Sequence, residues 1–259
     1  MPFELESLVG YLYIVGGRAI STNPPGSLVE VAPRKAARGR ETDTFFTMVL
    51  PSGETHASAT FYEQLAQLAA ERYYESTGSV TSGLREVFHA LNKNLYDHNA
   101  TNTKSYEANL ICAVLRGNDL IVGRVGAGVV ILREGGQTVT FPEDLSNDEA
   151  IYTPPLGVQA APNVRLRQFR VVNNSRILFC DANIADFDLE RITNALVTNE
   201  LSMVLVAFKE LARLNLTIMA VELVPPDLPV PETVPIGEST AQIAEAARES
   251  KRVTRDERR

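Results

Sequence analysis

The order of the predicted elements indicates an α+β fold with antiparallel sheets and helices stacked outside them. Strands and helices come in runs, whereas a parallel α/β sheet would alternate them. The segment 106–136 has the pattern of strand, Gly-Asn-Asp turn, strand, glycine-rich bend and strand. Its first strand is apolar on both faces, which is typical of a strand buried between two layers.

The chain begins with three predicted strands, at residues 8–20, 27–32 and 42–50. Gly16-Gly17 predicts a bulge or kink inside the first strand. Two helices follow, at about 56–75 and 80–98, because their apolar residues recur three and four positions apart. We expect these helices to form an antiparallel pair on one sheet.

Beyond the central segment, the pattern predicts strands at residues 164–172, 175–181 and 215–223, with two helices between the last two strands. The strand at 164–172 carries polar residues on both faces, which favours an edge position. Asp181 ends a short buried strand, where a carboxylate can cap a turn or a nearby helix.

The composition changes at residue 225, and we therefore divide the chain into a domain of residues 1–224 and a tail of residues 225–259. Five prolines between residues 225 and 235 predict an extended linker. The residues after it are charged and include few large apolar side chains, which predicts a disordered tail.

Composition excludes several classes of function. The net charge of -7 and a pI near 5.2 argue against a general nucleic-acid-binding surface. No apolar run reaches the ~20 residues that a membrane-spanning helix needs, and the N-terminus lacks the basic region of a signal peptide.

Cys112 and Cys180 lie in apolar strands and are expected to be buried free thiols. A cytoplasmic location is the expectation.

Short motifs occur along these elements in a characteristic order: Gly126-Ala127-Gly128, then Leu156-Gly157, Cys180-Asp181-Ala182 and Leu214-Asn215. In this order, from about residue 39 to 224, the chain resembles the metal-dependent (PPM-type, type 2C) serine/threonine protein phosphatases. The resemblance implies a four-layer α-β-β-α sandwich of two antiparallel sheets flanked by helix pairs. It also implies an active site at one end, where aspartates hold two Mg²⁺ or Mn²⁺ ions that activate a water to attack a phosphoester.

The chain departs from the family at most of the metal-binding positions. In the family, an Asp-Gly motif supplies the acid that bridges the two ions, and this chain has Ser52 at the matching position. The acid of the family's Gly-Asp-Ser motif is replaced by Ala127, and the acid of its Asp-Asn motif is replaced by Leu214. Asp181 keeps the acid of Ser-Asp-Gly. The early Arg-x-x-Asn-x-Asp motif is matched loosely by residues 40–43, which makes Asp43 the second remnant position.

Two divalent ions held close together need several anionic oxygens to offset their charge. Asp43 and Asp181 without a bridging acid should not hold such a centre. We therefore interpret the chain as a catalytically inactive phosphatase-like domain, a pseudophosphatase, with no expected cofactor. It would act through a protein partner such as a kinase or a phosphorylated segment, and we expect no nucleic-acid partner.

Two alternatives remain open. The first is a divergent active phosphatase that uses Mg²⁺ or Mn²⁺ bound by Asp43, Asp181 and further acids, for which Asp186, Asp188 and Glu54 are candidates. The second is an anion sensor that uses the vacated pocket, with Arg40 and Ser52 as contacts.

Overall fold

A computed structural model of the chain describes residues 5–226, and two antiparallel sheets packed face to face form its centre. The strands are β1 (Glu6–Val15), β2 (Arg18–Ala19), β3 (Ser27–Val31), β4 (Thr44–Ser52), β5 (Glu107–Arg116), β6 (Asp119–Val125), β7 (Val129–Glu134), β8 (Gln137–Phe141), β9 (Arg165–Arg170), β10 (Arg176–Cys180) and β11 (Leu216–Val224). Within the described residues, sheet A has the order β2-β1-β11-β10-β7-β8 and sheet B the order β3-β4-β5-β6-β9.

Helices cover the outer face of each sheet. The helices are α1 (Ala59–Glu75), α2 (Val80–Thr101), α3 (Asp148–Ile151), α4 (Leu189–Leu196) and α5 (Leu201–Leu211), with a 3₁₀ helix at Ala182–Asp186. The first two pack on sheet B through a core that includes Phe45 and Phe88. The last two pack on sheet A around Leu205 and Phe208. A third core between the sheets includes Met48 and Phe179. The predicted α+β class and the four-layer α-β-β-α sandwich are confirmed.

The first predicted strand is in fact a hairpin. Gly16 and Gly17 have φ angles of 58° and 76°, and β2 reverses to pair with the end of β1. Two consecutive residues with positive φ form the tight turn that fits the twist of a hairpin. Gly16-Gly17 therefore reverses the chain, whereas we expected a bulge or kink.

The predicted edge position of β9 is confirmed, because β9 pairs with β6 alone in the described sheet.

Strand register decides which loops meet at each end of the sandwich. Leu110 pairs with both Val49 and Val125, so the ends of β4 and β6 are neighbours. Cys180 pairs with both Val129 and Ile218. Because residues 126–128 join β6 to β7, both groups lie at the same end. We call this end, with Ser52, Ala127, Asp181 and residues 214–215, the Ser52 end.

The opposite end, which we call the Asp43 end, contains Asp43 at the start of β4 and the turn at Gly117. Glu6 and Val224 pair there as the first and last residues of their strands. The described chain stops two residues later, so the predicted linker and tail at 225–259 lie almost entirely outside the described residues and stay predictions.

None of the helices within residues 5–226 combines the length and the apolar character that crossing a bilayer requires.

Both cysteines are fully buried and free, as the sequence predicts. Cys112 lies beside the Thr47 hydroxyl at 3.5 Å, and burial raises the pKa of its thiol to about 12. Burial likewise raises the pKa of Cys180. Because the thiolate is the reactive form, neither side chain is suited to act as a nucleophile.

Candidate site at the Ser52 end

Ser52 is the last residue of β4 and is half-buried. It pairs with Glu107 on β5, and Gly53 follows it with a φ of 72°. Gly53 therefore has the left-handed backbone that favours glycine, while the Ser52 side chain offers only a neutral hydroxyl. A hydroxyl is a weaker ligand for a hard divalent cation than a carboxylate.

Ala127 lies in the bend that carries the chain from sheet B to sheet A. Its backbone N–H donates to Oδ1 of Asn109 at 2.9 Å. The Thr153 hydroxyl donates to the neighbouring carbonyl of Gly126 at 3.1 Å. These two bonds fix the bend, and the methyl group of Ala127 supplies no metal ligand.

Arg124 also supports this bend from inside the molecule. Its guanidinium is 1 % exposed and donates to the carbonyls of Gly128, Ala150 and Ile151. Burial, followed by the charge of Arg165, lowers its pKa to about 10. Arg124 thus ties residues 126–128 to α3 through carbonyl oxygens, which explains how the four-residue helix is held against the sandwich.

Asp181 caps the 3₁₀ helix that follows β10. Its Oδ1 accepts from the backbone N–H of Asn183 at 3.0 Å, and its Oδ2 accepts from the backbone N–H of Thr217 at 2.6 Å. Burial raises the pKa of Asp181, while the hydrogen bonds from Thr217 and Asn183 act in the opposite direction. Both carboxylate oxygens are therefore engaged by the backbone, and the capping role expected of a strand-end acid is present.

Leu214 and Asn215 lie just before β11. The Leu214 side chain is 67 % exposed, and its carbonyl accepts from the backbone N–H of Gly17. The Asn215 side chain accepts from the backbone N–H of Gly16 at 2.9 Å. This pair of residues fastens the β1–β2 turn to the start of β11. Leu214 does not fill a pocket at this end.

Asp43 lies at the other end of the sandwich, and this position corrects its assignment as a remnant metal ligand. Nine residues of extended chain separate it from Ser52, which corresponds to about 30 Å. Its carboxylate is fully buried and forms a bidentate pair with Arg116, with Nε–Oδ1 and Nη2–Oδ2 distances of 2.6 Å. The Tyr73 hydroxyl donates to Oδ2 at 2.5 Å. Asp43 and Asp181 therefore cannot share a metal centre.

Arg40 belongs to the same buried cluster, so its assignment as an anion contact beside Ser52 is also wrong. Its side chain is fully buried and donates to the Tyr73 hydroxyl, the Ser76 hydroxyl and the carbonyls of Ser76 and Ser79. These partners lie at the end of α1 and the start of α2. Arg40 links both helices to Asp43 and has no contact with the Ser52 end.

The structure indicates a different match for the early motif. In Arg-x-x-Asn-x-Asp the last residue follows the arginine by five positions, a spacing that Arg18 and Asn23 satisfy as well as Arg38 and Asp43. Asn23 is exposed and precedes β3, and the Gly26 carbonyl accepts from Val49 near the end of β4. Asn23 is therefore at the Ser52 end, where an acid would be needed. Spacing alone could not have identified Asn23, because Arg38 and Asp43 are also five positions apart and Asp43 carries an acid. Strand register is what separates the two candidates.

The residues at the Ser52 end do not fit a centre of two divalent ions. The side chains that we match to the metal positions at this end include the neutral Asn23, Ser52, Ala127 and Leu214, and the carboxylate of Asp181 is engaged by two backbone donors. Within residues 5–226, no three His, Cys, Asp or Glu side chains are grouped so that they could hold an ion. All three further candidates are exposed: Asp188, which pairs with Arg191 at 3.7 Å, Asp186 and Glu54.

Comparison with solved structures identifies several similar folds. Stp1 from Staphylococcus aureus, a serine/threonine phosphatase, is 13 % identical with a TM-score of 0.63, over 86 % of this chain and 97 % of its own. PppA, described as a key regulatory component of the T6SS in Pseudomonas aeruginosa, is 14 % identical with a TM-score of 0.60, over 84 % and 100 %. The catalytic domain of the phosphatase PstP, solved with two manganese ions, is 15 % identical with a TM-score of 0.51, over 85 % and 100 %.

No family model and no curated protein matches the sequence. Identities of 13–15 % describe the fold and leave activity open. The chain has the fold of the PPM-type, or type 2C, serine/threonine phosphatases.

Proposed function

We propose that this chain is a pseudophosphatase, a phosphatase-like domain that does not hydrolyse phosphoesters and works by binding another protein. The observation that carries the proposal is the donor set at the Ser52 end. A single carboxylate, Asp181, remains at the family's metal positions, and its two oxygens accept hydrogen bonds from Thr217 and Asn183.

Charge balance supports the absence of a binuclear centre. Two divalent ions bring four positive charges to a small volume, and several anionic oxygens must offset them. Asp181 supplies one negative charge. To bind an ion it would also have to weaken the backbone hydrogen bonds that begin the 3₁₀ helix.

A regulatory role through protein contact is consistent with the fold. The proposed partner is a protein, with a kinase or a phosphorylated segment as the leading class, by analogy with the substrates of phosphatases that share this fold. The similar PppA is itself described as a regulatory component. Two buried free thiols are compatible with a reducing compartment, and a cytoplasmic location is part of the proposal.

The test is calorimetric titration of the full chain with MnCl₂ and MgCl₂, followed by assay of the same sample for hydrolysis of a small aryl phosphate. An authentic type 2C phosphatase serves as the positive control. We expect no saturable binding up to millimolar metal and no hydrolysis above the buffer rate. A second readout is the amide NMR signals of Asn183 and Thr217, which bound Mn²⁺ would broaden.

Metal-dependent hydrolysis that disappears in Asp181→Asn would instead establish the divergent active enzyme. If metal is not bound, capture experiments compare the wild-type chain with Leu214→Glu, a change at an exposed position of the Ser52 end. A partner that recognises this end is retained by the wild type and lost by the variant.

A further inference from the structure

A groove of about 420 Å³ opens between the two sheets at the Asp43 end. Its apolar lining includes Leu5, Val31, Leu115 and Pro226, and its polar lining includes Glu41 and Thr44. Val31 is 71 % exposed, although it ends a strand whose other residues are partly covered by neighbours. The groove therefore leaves apolar surface open beside the main core between the sheets.

The last described residue forms part of this groove. Pro226 lines it, and the sequence continues from there as Asp227-Leu228-Pro229-Val230-Pro231. Pro229 and Pro231 keep Leu228 and Val230 out of the helical region, and in the β-extended backbone that continues β11 alternate residues face the same way. Leu228 and Val230 would therefore face the groove with Pro226, and Asp227 would face away from the carboxylates of Glu6 and Glu41. Two residues of extended chain reach about 7 Å, so Leu228 cannot lie far from the opening.

The energetics favour such docking in cis. Full burial of one leucine side chain stabilises a structure by about 1.5–3 kcal/mol. Proline fixes φ near its extended value, which reduces the conformational entropy lost when the segment is ordered. A short connection to Pro226 also holds the segment at a high effective concentration, so a modest intrinsic affinity is sufficient.

We propose that residues 227–231 dock in this groove, with the Leu228 side chain inserted between Val31 and Leu115. The docked segment closes the open end of the core between the sheets. It also fixes the point from which the rest of the tail leaves the domain, at the end opposite Ser52. The inference is independent of whether the Ser52 end is catalytic.

The test uses tryptophan fluorescence in the full chain, which contains no natural tryptophan. Leu228→Trp places the reporter in the proposed anchor, and Ala244→Trp places a matched reporter further along the tail. We expect the first emission spectrum to be blue-shifted relative to the second, with several-fold weaker quenching by acrylamide. Identical spectra and identical quenching would overturn the proposal.

A change in the groove distinguishes docking from a local effect of the reporter. Val31→Glu adds a third carboxylate beside Glu6 and Glu41 at an exposed position, and Val197→Glu is the control at another exposed valine. In the Leu228→Trp background, the first change should remove the blue shift and the protection from acrylamide, while the second should leave both unchanged. Circular dichroism checks that both variants fold.

Two other occupants would give different results, and either would overturn the proposal. If the N-terminal residues fill the groove, Phe3→Trp will be protected and its protection will be lost with Val31→Glu, while Leu228→Trp is unaffected. If the tail of a second copy fills it, protection of Leu228→Trp will fall on dilution and the chain will sediment as a dimer.

Discussion

At the scale of single residues, two aspartates of this chain show how environment decides the role of a carboxylate. Asp43 is fully buried and paired with a guanidinium and a phenol. Asp181 is partly buried and accepts only backbone N–H groups. The first stabilises the packing of α1 and α2 against sheet B, and the second shapes the start of the 3₁₀ helix. The sequence presents both simply as acids beside a strand.

We predict that Asp43→Asn destabilises the fold by about 3 kcal/mol. The change removes the charge that offsets Arg116 and Arg40, and it places an amide N–H₂ group where acceptors are needed. Breaking a buried ion pair costs about 3–5 kcal/mol. We expect the lower end of this range because Arg116 is 37 % exposed. Urea unfolding followed by circular dichroism measures the free energy.

The control for Asp43 is Asp97→Asn, which removes the partner of Lys93 in an exposed pair on α2. Exposed pairs contribute little, so this change should stay within about 0.5 kcal/mol of wild type. Equal effects of the two substitutions would contradict the assignment of Asp43 as a structural centre.

For Asp181 we predict a carboxyl titration midpoint above its ordinary value, because burial raises its pKa. A raised pKa in the folded state means that the folded chain binds the proton more tightly than the unfolded chain. The stability linked to Asp181 is therefore present at low pH and is lost as pH rises through the folded pKa. Carbon-13 NMR of the aspartate carboxyls measures the midpoint, and a value below the ordinary one would show that the hydrogen bonds outweigh burial.

At the scale of elements, the bend at residues 126–128 connects the two sheets and positions the loop at the Ser52 end. Gly126 has a φ of 80°, in the region that favours glycine. A Cβ built on it would lie 2.1 Å from Oδ1 of Asn109, the atom that accepts from Ala127. Backbone conformation and close packing thus both require glycine here.

We predict that Gly126→Ala costs about 1–3 kcal/mol more than Gly135→Ala. Both positions have positive φ, so both substitutions introduce backbone strain, but nothing lies within 4 Å of a Cβ at Gly135. The difference therefore isolates the clash with Asn109. Paired urea unfolding curves provide the measurement, and equal losses would mean that the Asn109 side chain moves aside freely.

Sequence patterns predict helices and strands well where the apolar residues recur with a single clear period, about two residues for a strand or about 3.6 for a helix. The alternation and apolar runs of β5, β6 and β7, and the helical spacing of α1 and α2, lead to elements close to those observed. The β1–β2 hairpin was misread because a Gly-Gly pair is compatible with a bulge as well as with a turn. The sequence pattern does not reveal the short β8 and α3, because their few residues show no period, and α3 is held by the bonds from Arg124 to the carbonyls of Ala150 and Ile151.

At the scale of the whole molecule, the sequence predicts the candidate site only in part, because spacing along the chain does not say which strand ends meet. The matches at Ser52, Ala127, Asp181 and Leu214 all fall at one end, as the order of elements implies. Asp43 and Arg40 fall at the other end, since they precede the strand that Ser52 ends. Only strand register separates the two groups.

We predict that restoring the acids rebuilds a metal site. The combined substitutions Asn23→Asp, Ser52→Asp, Ala127→Asp and Leu214→Asp add four carboxylates to Asp181 at the Ser52 end. Saturable Mn²⁺ binding should appear by calorimetry in this variant and be absent from the wild type. The matched comparison is a variant that carries Ser52→Asp, Ala127→Asp and Leu214→Asp but keeps Asn23. Equal Mn²⁺ binding by both variants would contradict the position assigned to Asn23.

The pairing of Glu6 with Val224 places the two ends of the described chain side by side, because directly opposed residues of antiparallel strands are about 5 Å apart. Such a domain is suited to circular permutation. Residues 5 and 226 can be joined by a short linker, and new termini opened between Gly135 and Gly136, in the exposed turn that connects β7 to β8. The same geometry allows the domain to be inserted into a surface loop of a host protein, with the Ser52 end pointing away from the host.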